Sequence, residues 1–184
     1  LWNITGWACI SIKNFPNNQS AKKEIKLLDN EKALSPTQVQ LDKVMGFYSA
    51  GQINQALESV ELLIKDYPNE YLLFNICGAC FSEIGSIDLA IENFKKAIAL
   101  KINYSEAQFN LGVAFQKLNQ LDSASEYYLQ AINSQHAYPS AHNNLGIIFL
   151  NKGEISSAVK SFEWAIAYSP NYADAYNNLG SALQ

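Results

Sequence analysis

SEAQFNLGVAFQKLNQLDSASEYYLQAINSQHAY, residues 105–138, decides the fold, because displacing it by 34 residues in either direction finds it again. Forward lie PSAHNNLGIIFLNKGEISSAVKSFEWAIAYSPNY at 139–172 and the opening of a further unit, ADAYNNLGSALQ, at 173–184. Backward lie 71–104 and, more loosely, 37–70. Self-similarity at a fixed period of roughly 20–50 residues is the signature of a solenoid, in which each unit buries its apolar face only against its neighbours.

With each unit numbered 1 to 34 from Thr37, Tyr71, Ser105, Pro139 and Ala173, the columns acquire steric roles. Position 8 reads Val44, Gly78, Gly112, Gly146 and Gly180, a small residue where two helices approach closely. Position 20 reads Ala56, Ala90, Ala124 and Ala158, and position 27 reads Leu63, Ala97, Ala131 and Ala165. Large apolar groups fill complementary places: Phe47, Phe81, Phe115 and Phe149 at position 11, then Val60, Phe94, Tyr128 and Phe162 at position 24. Small residues facing large ones let packed layers interdigitate at native density.

The break inside each unit is equally regular. Position 15 holds Gly51, Gly85, Asn119 and Gly153, residues that tolerate the left-handed conformation ending a helix. Position 18 holds Asn54, Asp88, Asp122 and Ser156, each expected to cap the second helix. Ser35-Pro36-Thr37-Gln38 marks the start of the array, with Ser35 as N-cap and Pro36 in the first turn. The spacing predicts helices over 37–50, 53–66, 71–84, 87–100, 105–118, 121–134, 139–152, 155–168 and 173–184.

This pattern resembles the tetratricopeptide repeat: small or aromatic at 4, Leu at 7, Gly at 8, aromatic at 11, Ala at 20, aromatic at 24, Ala at 27 and Pro at 32. The resemblance covers residues 37–184. Units three and four carry it best, with Leu111-Gly112 and Leu145-Gly146, whereas Lys43-Val44 marks the first unit as atypical. Position 32 is Pro68 and Pro170 but Ile102 and His136 in between, and Pro139 comes late in its turn, so a looser turn is expected there. The implied fold is all-α, a right-handed superhelical solenoid of antiparallel helix pairs. Its units are 37–70, 71–104, 105–138, 139–172 and a partial 173–184.

Residues 1–35 stand outside the repeat frame. LWNITGWAC resembles LFNICGACF at 73–81, but Gly6 and Gly78 are out of phase with two whole repeats. A helix is expected over 1–14, a turn over 16–19, and a basic amphipathic helix over 21–33 with Ile25 and Leu28 inward.

Composition narrows the function classes. Formal net charge is −4, and all 13 basic residues are lysines. Arginine is the preferred fork for phosphate and guanine, so a nucleic-acid partner is not expected. No apolar run of about 18 residues occurs, so no membrane span is expected either. Three cysteines make no disulfide framework, and the opening LWNITGWACISIKN does not read as a signal peptide, so a cytoplasmic setting is expected.

Candidate chemistry is sparse. Cys77-Gly78-Ala79-Cys80 is formally C-x-x-C, yet its cysteines occupy positions 7 and 10, where other units place Leu111 and Ala114 or Leu145 and Ile148. No second pair completes a four-thiolate zinc site, so both read as buried hydrophobes. His136 and His142 sit in packing columns and assemble no catalytic constellation. No catalytic, metal or cofactor residue is expected.

One column resists a packing account. Position 6 reads Asp42, Ile76, Asn110, Asn144 and Asn178, and position 5 adds Asn75, Asn143 and Asn177. Asparagine is a poor helix-interior residue, because its side chain competes for backbone hydrogen bonds. The family resemblance implies that first-helix positions 2, 5, 6, 9, 12 and 13 line a concave peptide-binding surface. Similar asparagine ladders occur in arrays of the O-linked N-acetylglucosamine transferase type, where they hold a peptide backbone. The competing account is that the column only satisfies inter-helix contacts. The expected groove residues are Asn75, Phe109, Asn110, Lys117, Asn143, Asn144, Ile147, Asn177 and Asn178. Few charges join them, so a neutral, extended protein or peptide segment is the expected partner.

The expected function is thus a non-catalytic binding scaffold. The alternative is a substrate-recruiting domain of a larger enzyme, since similar arrays precede sulfotransferase- or glycosyltransferase-like proteins. The last unit lacks a polar second helix, which predicts self-association through residues 173–184.

Overall fold

The computed structural model describes residues 35–184. The helices and turn expected over 1–33, together with Cys9, lie outside them. Residues Gln38–Gln184 form one compact unit. Among the described residues are α1 (Gln38–Ser49), α2 (Ile53–Asp66), α3 (Tyr71–Glu83), α4 (Ile87–Leu100), α5 (Ser105–Lys117), α6 (Leu121–Ser134), α7 (Pro139–Asn151), α8 (Ile155–Tyr168) and α9 (Ala173–Ala182). Every helix packs on the next one along the chain, and first helices also meet across units, α3 on α5 and α7 on α9. This is the helix-pair solenoid that the 34-residue period predicts.

The core lies at the junctions. Positions 20, 24 and 27 of one unit pack on positions 3, 7 and 10 of the next: Ala56, Val60 and Leu63 on Leu73, Cys77 and Cys80, then Ala124, Tyr128 and Ala131 on Ala141, Leu145 and Ile148. A side chain at position 8 has no room in the middle units. A Cβ added at Gly78, Gly112 or Gly146 would stand 2.7, 2.7 or 2.5 Å from the ring of Phe94, Tyr128 or Phe162. Unit one solves the same problem with two medium residues, Val44 and Val60, buried in one cluster.

Within each pair the first helix ends in a Schellman turn. The position-16 N–H donates to the position-11 carbonyl, Ser86 to Phe81 and Gln120 to Phe115, both at 2.9 Å. Position 15 takes φ between +57° at Asn119 and +82° at Gly85, which explains the Gly/Asn column. The turn leaves position 16 at the boundary of the second helix, which begins one residue later. Asn54, Asp88, Asp122 and Ser156 therefore do not cap. They lie inside the first turn, where the carboxylates of Asp88 and Asp122 complement the positive helix end. Gln52, Ser86, Gln120 and Glu154 stand at the cap without a side-chain hydrogen bond, since the chain arriving from the Schellman turn fixes the entry instead.

One further expectation is corrected and one is met. α1 begins at Gln38, so Pro36 precedes the helix and Thr37, also a favoured cap type, borders it. The turn before α7 is looser, as expected: 135–138 has the same length as 67–70, 101–104 and 169–172, with Pro139 as the first helical residue, but where Glu70 donates to the Tyr67 carbonyl and Tyr172 to the Ser169 carbonyl, Tyr138 N–H donates only two residues back, to His136.

Candidate functional site

First helices turn positions 2, 5, 6, 9, 12 and 13 to one face, and there the asparagines meet. Adjacent first helices are offset so that position 5 of one unit lies beside position 6 of the next. Asn110 Nδ2 donates to Asn75 Oδ1 at 3.0 Å, and Asn178 Nδ2 donates to Asn143 Oδ1 at 2.9 Å. Asn75 in turn donates to the Tyr104 hydroxyl at 3.2 Å, tying the first carboxamide pair to the junction between units two and three. At the middle junction Phe109 occupies position 5 and offers no acceptor. Asn144 donates instead to the Tyr128 hydroxyl at 3.1 Å, and that hydroxyl donates to Gln116 Oε1 at 2.6 Å. Burial pushes the Tyr128 phenol up to about 12, so it stays protonated and keeps both bonds.

The remaining expected residues fall on or beside this face. Phe109 lies stacked on Tyr138, ring centroids 5.1 Å apart, and tilted against Tyr128. Lys117 Nζ reaches back to Ser82, 2.9 Å from Oγ and 3.3 Å from the carbonyl oxygen. Ile147 is half-buried and packs against the cluster of Ala158 and Phe162. Asn177 is exposed, whereas Asn143 is only 4 % exposed and its carboxamide is spent on Asn178. Asn110, Asn144 and Asn178 are half-buried.

Sequence reasoning did not single out Tyr48, Ala79 or Ser82. With Glu83, Phe94, Phe109, Asn110, Val113 and Lys117 they line an open hollow of about 160 Å³ on this face. The available signal was column 9, where Ala79 is smaller than Met45, Val113 or Ile147.

The other chemical candidates fall into packing roles. Cys77 and Cys80 are buried free thiols, and burial pushes them up to about 12 and about 11. No group of metal-binding side chains occurs among the described residues. His136 is exposed. His142 is half-buried, 3.3 Å by Nε2 from the His136 carbonyl oxygen and ring to ring with Tyr168, and its burial lowers the imidazole pKa. No helix among the described residues is long and apolar enough to cross a membrane.

At pH 8, iodoacetamide is expected to leave Cys77 and Cys80 unmodified in the native protein and to label them as urea unfolds it, read peptide by peptide in a mass spectrometer. The sign of the pH dependence follows: with folded values raised above the ordinary ~8.5, the thiols contribute stability fully below that pH and lose it as pH rises through about 11 and 12. Rapid native-state labelling of either thiol would mean that the junction between units one and two opens.

The profile described as TPR repeat matches residues 81–119, 114–153 and 148–184, more than half of the chain. The chain belongs to the tetratricopeptide repeat family. Among curated proteins this tetratricopeptide array is similar to the peroxisomal targeting signal receptor of Saccharomyces cerevisiae, 25% identical over 95 residues, which is 52% of this chain and 15% of the receptor. Among solved structures it is similar to MamA, with a TM-score of 0.68 at 26% identity over 78% of this chain and 79% of MamA. It also resembles in fold the first TPR of Spaghetti (RPAP3) bound to the HSP90 peptide SRMEEVD, with a TM-score of 0.60 at 21% identity over 62% and 91% of the two chains.

Proposed function

We propose that this protein is a non-catalytic scaffold that holds an extended protein segment on the face built by its first helices, with Asn110, Asn144, Asn177 and Asn178 contacting the ligand main chain. The observation that carries the reading is the pairing of position 5 with position 6 across junctions, Asn110 on Asn75 and Asn178 on Asn143. A carboxamide has two N–H donors and an oxygen with two lone pairs, so Asn110 and Asn178, each donating one N–H to its partner, keep a second N–H and the oxygen, whereas Asn143 is buried beneath the pair. The bond also fixes the side-chain rotamer before a ligand arrives, which lowers the ordering cost of binding. Packed helices lie roughly 8–10 Å apart and an extended chain advances roughly 3.3 Å per residue, so one asparagine falls opposite about every third ligand residue. Contacts to the main chain are indifferent to ligand side chains. Selectivity comes from neighbours such as Phe109, Lys117 and Ile147.

The family supports this class of function, and the yeast relative is by its name a receptor for a targeting signal. The alternative, a recruiting domain of a sulfotransferase- or glycosyltransferase-like enzyme, draws no support from the relatives reported above.

The test takes a ligand captured by pull-down and changes Asn110, Asn144 and Asn178 together to Ala. Each net hydrogen bond contributes about 0.5–1.5 kcal/mol, so calorimetry should show affinity falling at least tenfold while circular dichroism shows the helices intact. Undiminished affinity in a folded variant would reduce the column to packing. Separately, Leu179 and Ala182 of the last helix pack against the Phe162 cluster, so self-association through residues 173–184 would rest on the exposed Tyr176 and Leu183, and a sedimentation coefficient independent of concentration would refute it.

A further inference from the structure

The hollow between units two and three exists because of one small side chain. Position 9 of the first helices is Met45, Val113 and Ile147 in units one, three and four, but Ala79 in unit two and Ser181 in the partial fifth. Beside Ala79 stands Gly78, where a Cβ would stand 2.7 Å from the Phe94 ring. The short side chain of Ala79 thus leaves an apolar floor of half-buried Ala79, Phe109 and Val113 open on the first-helix face, with Phe94 buried beneath it. Its volume of about 160 Å³ compares with the roughly 150 Å³ apolar cavity that takes up one benzene molecule.

The rim is polar and already organised. Lys117 uses two of its three ammonium donors on Ser82, which holds its head across the edge of the hollow and leaves one N–H to donate. Glu83 stands at the same rim with the opposite charge. A charged ligand side chain of either sign therefore meets one attractive and one repulsive partner, whereas an apolar side chain meets the floor without that conflict. Asn110, paired to Asn75, lies at the edge where the ligand main chain must pass if its side chain is to point inward.

We propose that this hollow is the side-chain pocket of the groove, and that it selects an extended peptide carrying a leucine- or methionine-sized apolar residue, seated on Ala79, Phe109 and Val113. The ligand carbonyl at that residue accepts from Lys117, and its main chain pairs with Asn110. The inference rests on the groove reading above and adds to it what the ligand must carry.

The repeat supplies its own control, because Val, Ile and Met already occupy position 9 in neighbouring units. Ala79→Ile, with Ala79→Val as a second variant, should fill the hollow and leave the helices and the melting transition intact. A phage-displayed library of random dodecapeptides is selected on the full chain, and the enriched peptides are synthesised and titrated. The expected result is a shared apolar position among them and an affinity for Ala79→Ile lower by roughly 10- to 100-fold, the range set by losing the burial of one such side chain. Peptides that lose affinity when Asn110, Asn144 and Asn178 become Ala, yet bind Ala79→Ile undiminished, would overturn the pocket and leave the groove standing. Peptides indifferent to both changes, or no enrichment above a bait-free control, would overturn the groove reading and the pocket with it.

Discussion

Gly146→Val should destabilise the array by roughly 1–3 kcal/mol through overpacking, and adding Phe162→Val should restore much of the loss. A Cβ at residue 146 would stand 2.5, 2.8 and 2.9 Å from Cε1, Cδ1 and Cζ of Phe162. That ring is wholly buried in the cluster with Ala158 and Ala182, so it cannot swing clear. Valine adds two methyl groups beyond that Cβ. The gain in helix propensity over glycine, a few tenths of a kcal/mol, does not offset the clash. Phe162→Val alone removes most of a ring from a packed junction and should cost a large part of the roughly 3–5 kcal/mol typical of Phe→Ala. Together the two changes reproduce Val44 and Val60 of unit one, which are 1% and 0% exposed in a shared core. Contacting residues commonly show coupling of about 0.5–3 kcal/mol, and here the double variant should be more stable than the sum of the singles by an amount in that range. Urea denaturation followed by circular dichroism measures all four corners of the cycle. Strict additivity would mean that positions 8 and 24 do not meet as described.

That pair of columns was legible in the sequence because a steric exclusion leaves a compositional trace: glycine recurs wherever an aromatic recurs sixteen positions on, and both are absent together in unit one. The Schellman turns were legible for the same reason, since positive φ at Gly51, Gly85, Asn119 and Gly153 admits few residue types. The caps were misread because Asp and Asn suit the first turn of a helix as well as its cap, and only the position-16 to position-11 bond decides which place they take. The inner face was legible as a column of asparagines but not as pairs. Its hydrogen bonds join residues 35 apart, one more than the repeat, as Asn75 to Asn110, Asn143 to Asn178 and Ser82 to Lys117 all do. That extra residue is the axial offset between neighbouring first helices, a property of their packing that no single helix encodes.

The offset also explains why the middle junction behaves differently, and the consequence is measurable at Tyr128. Its ring fills position 24 as Phe94 and Phe162 do in their units, but its hydroxyl, buried with the ring, reaches the side chain of Asn144. There it donates to Gln116 and accepts from Asn144, replacing the carboxamide partner that Phe109 cannot provide. Tyr128→Phe keeps the ring and removes one oxygen. It leaves the Gln116 carbonyl and the Asn144 amide without their partner in a half-buried setting, which costs roughly 1–3 kcal/mol. Because burial holds the phenol near 12, wild-type and variant should differ by the same amount from neutral pH up to about pH 10. Two readings separate the hydrogen bond from general damage. Solvent exchange of the Asn144 side-chain amide should quicken in Tyr128→Phe, and the variant should lose little further stability when Asn144 is also changed to Ala, since the bond that this second change removes is already gone. An unaltered urea midpoint, or a full additional loss on adding Asn144→Ala, would detach Asn144 from the core and leave its position on the first-helix face unsupported.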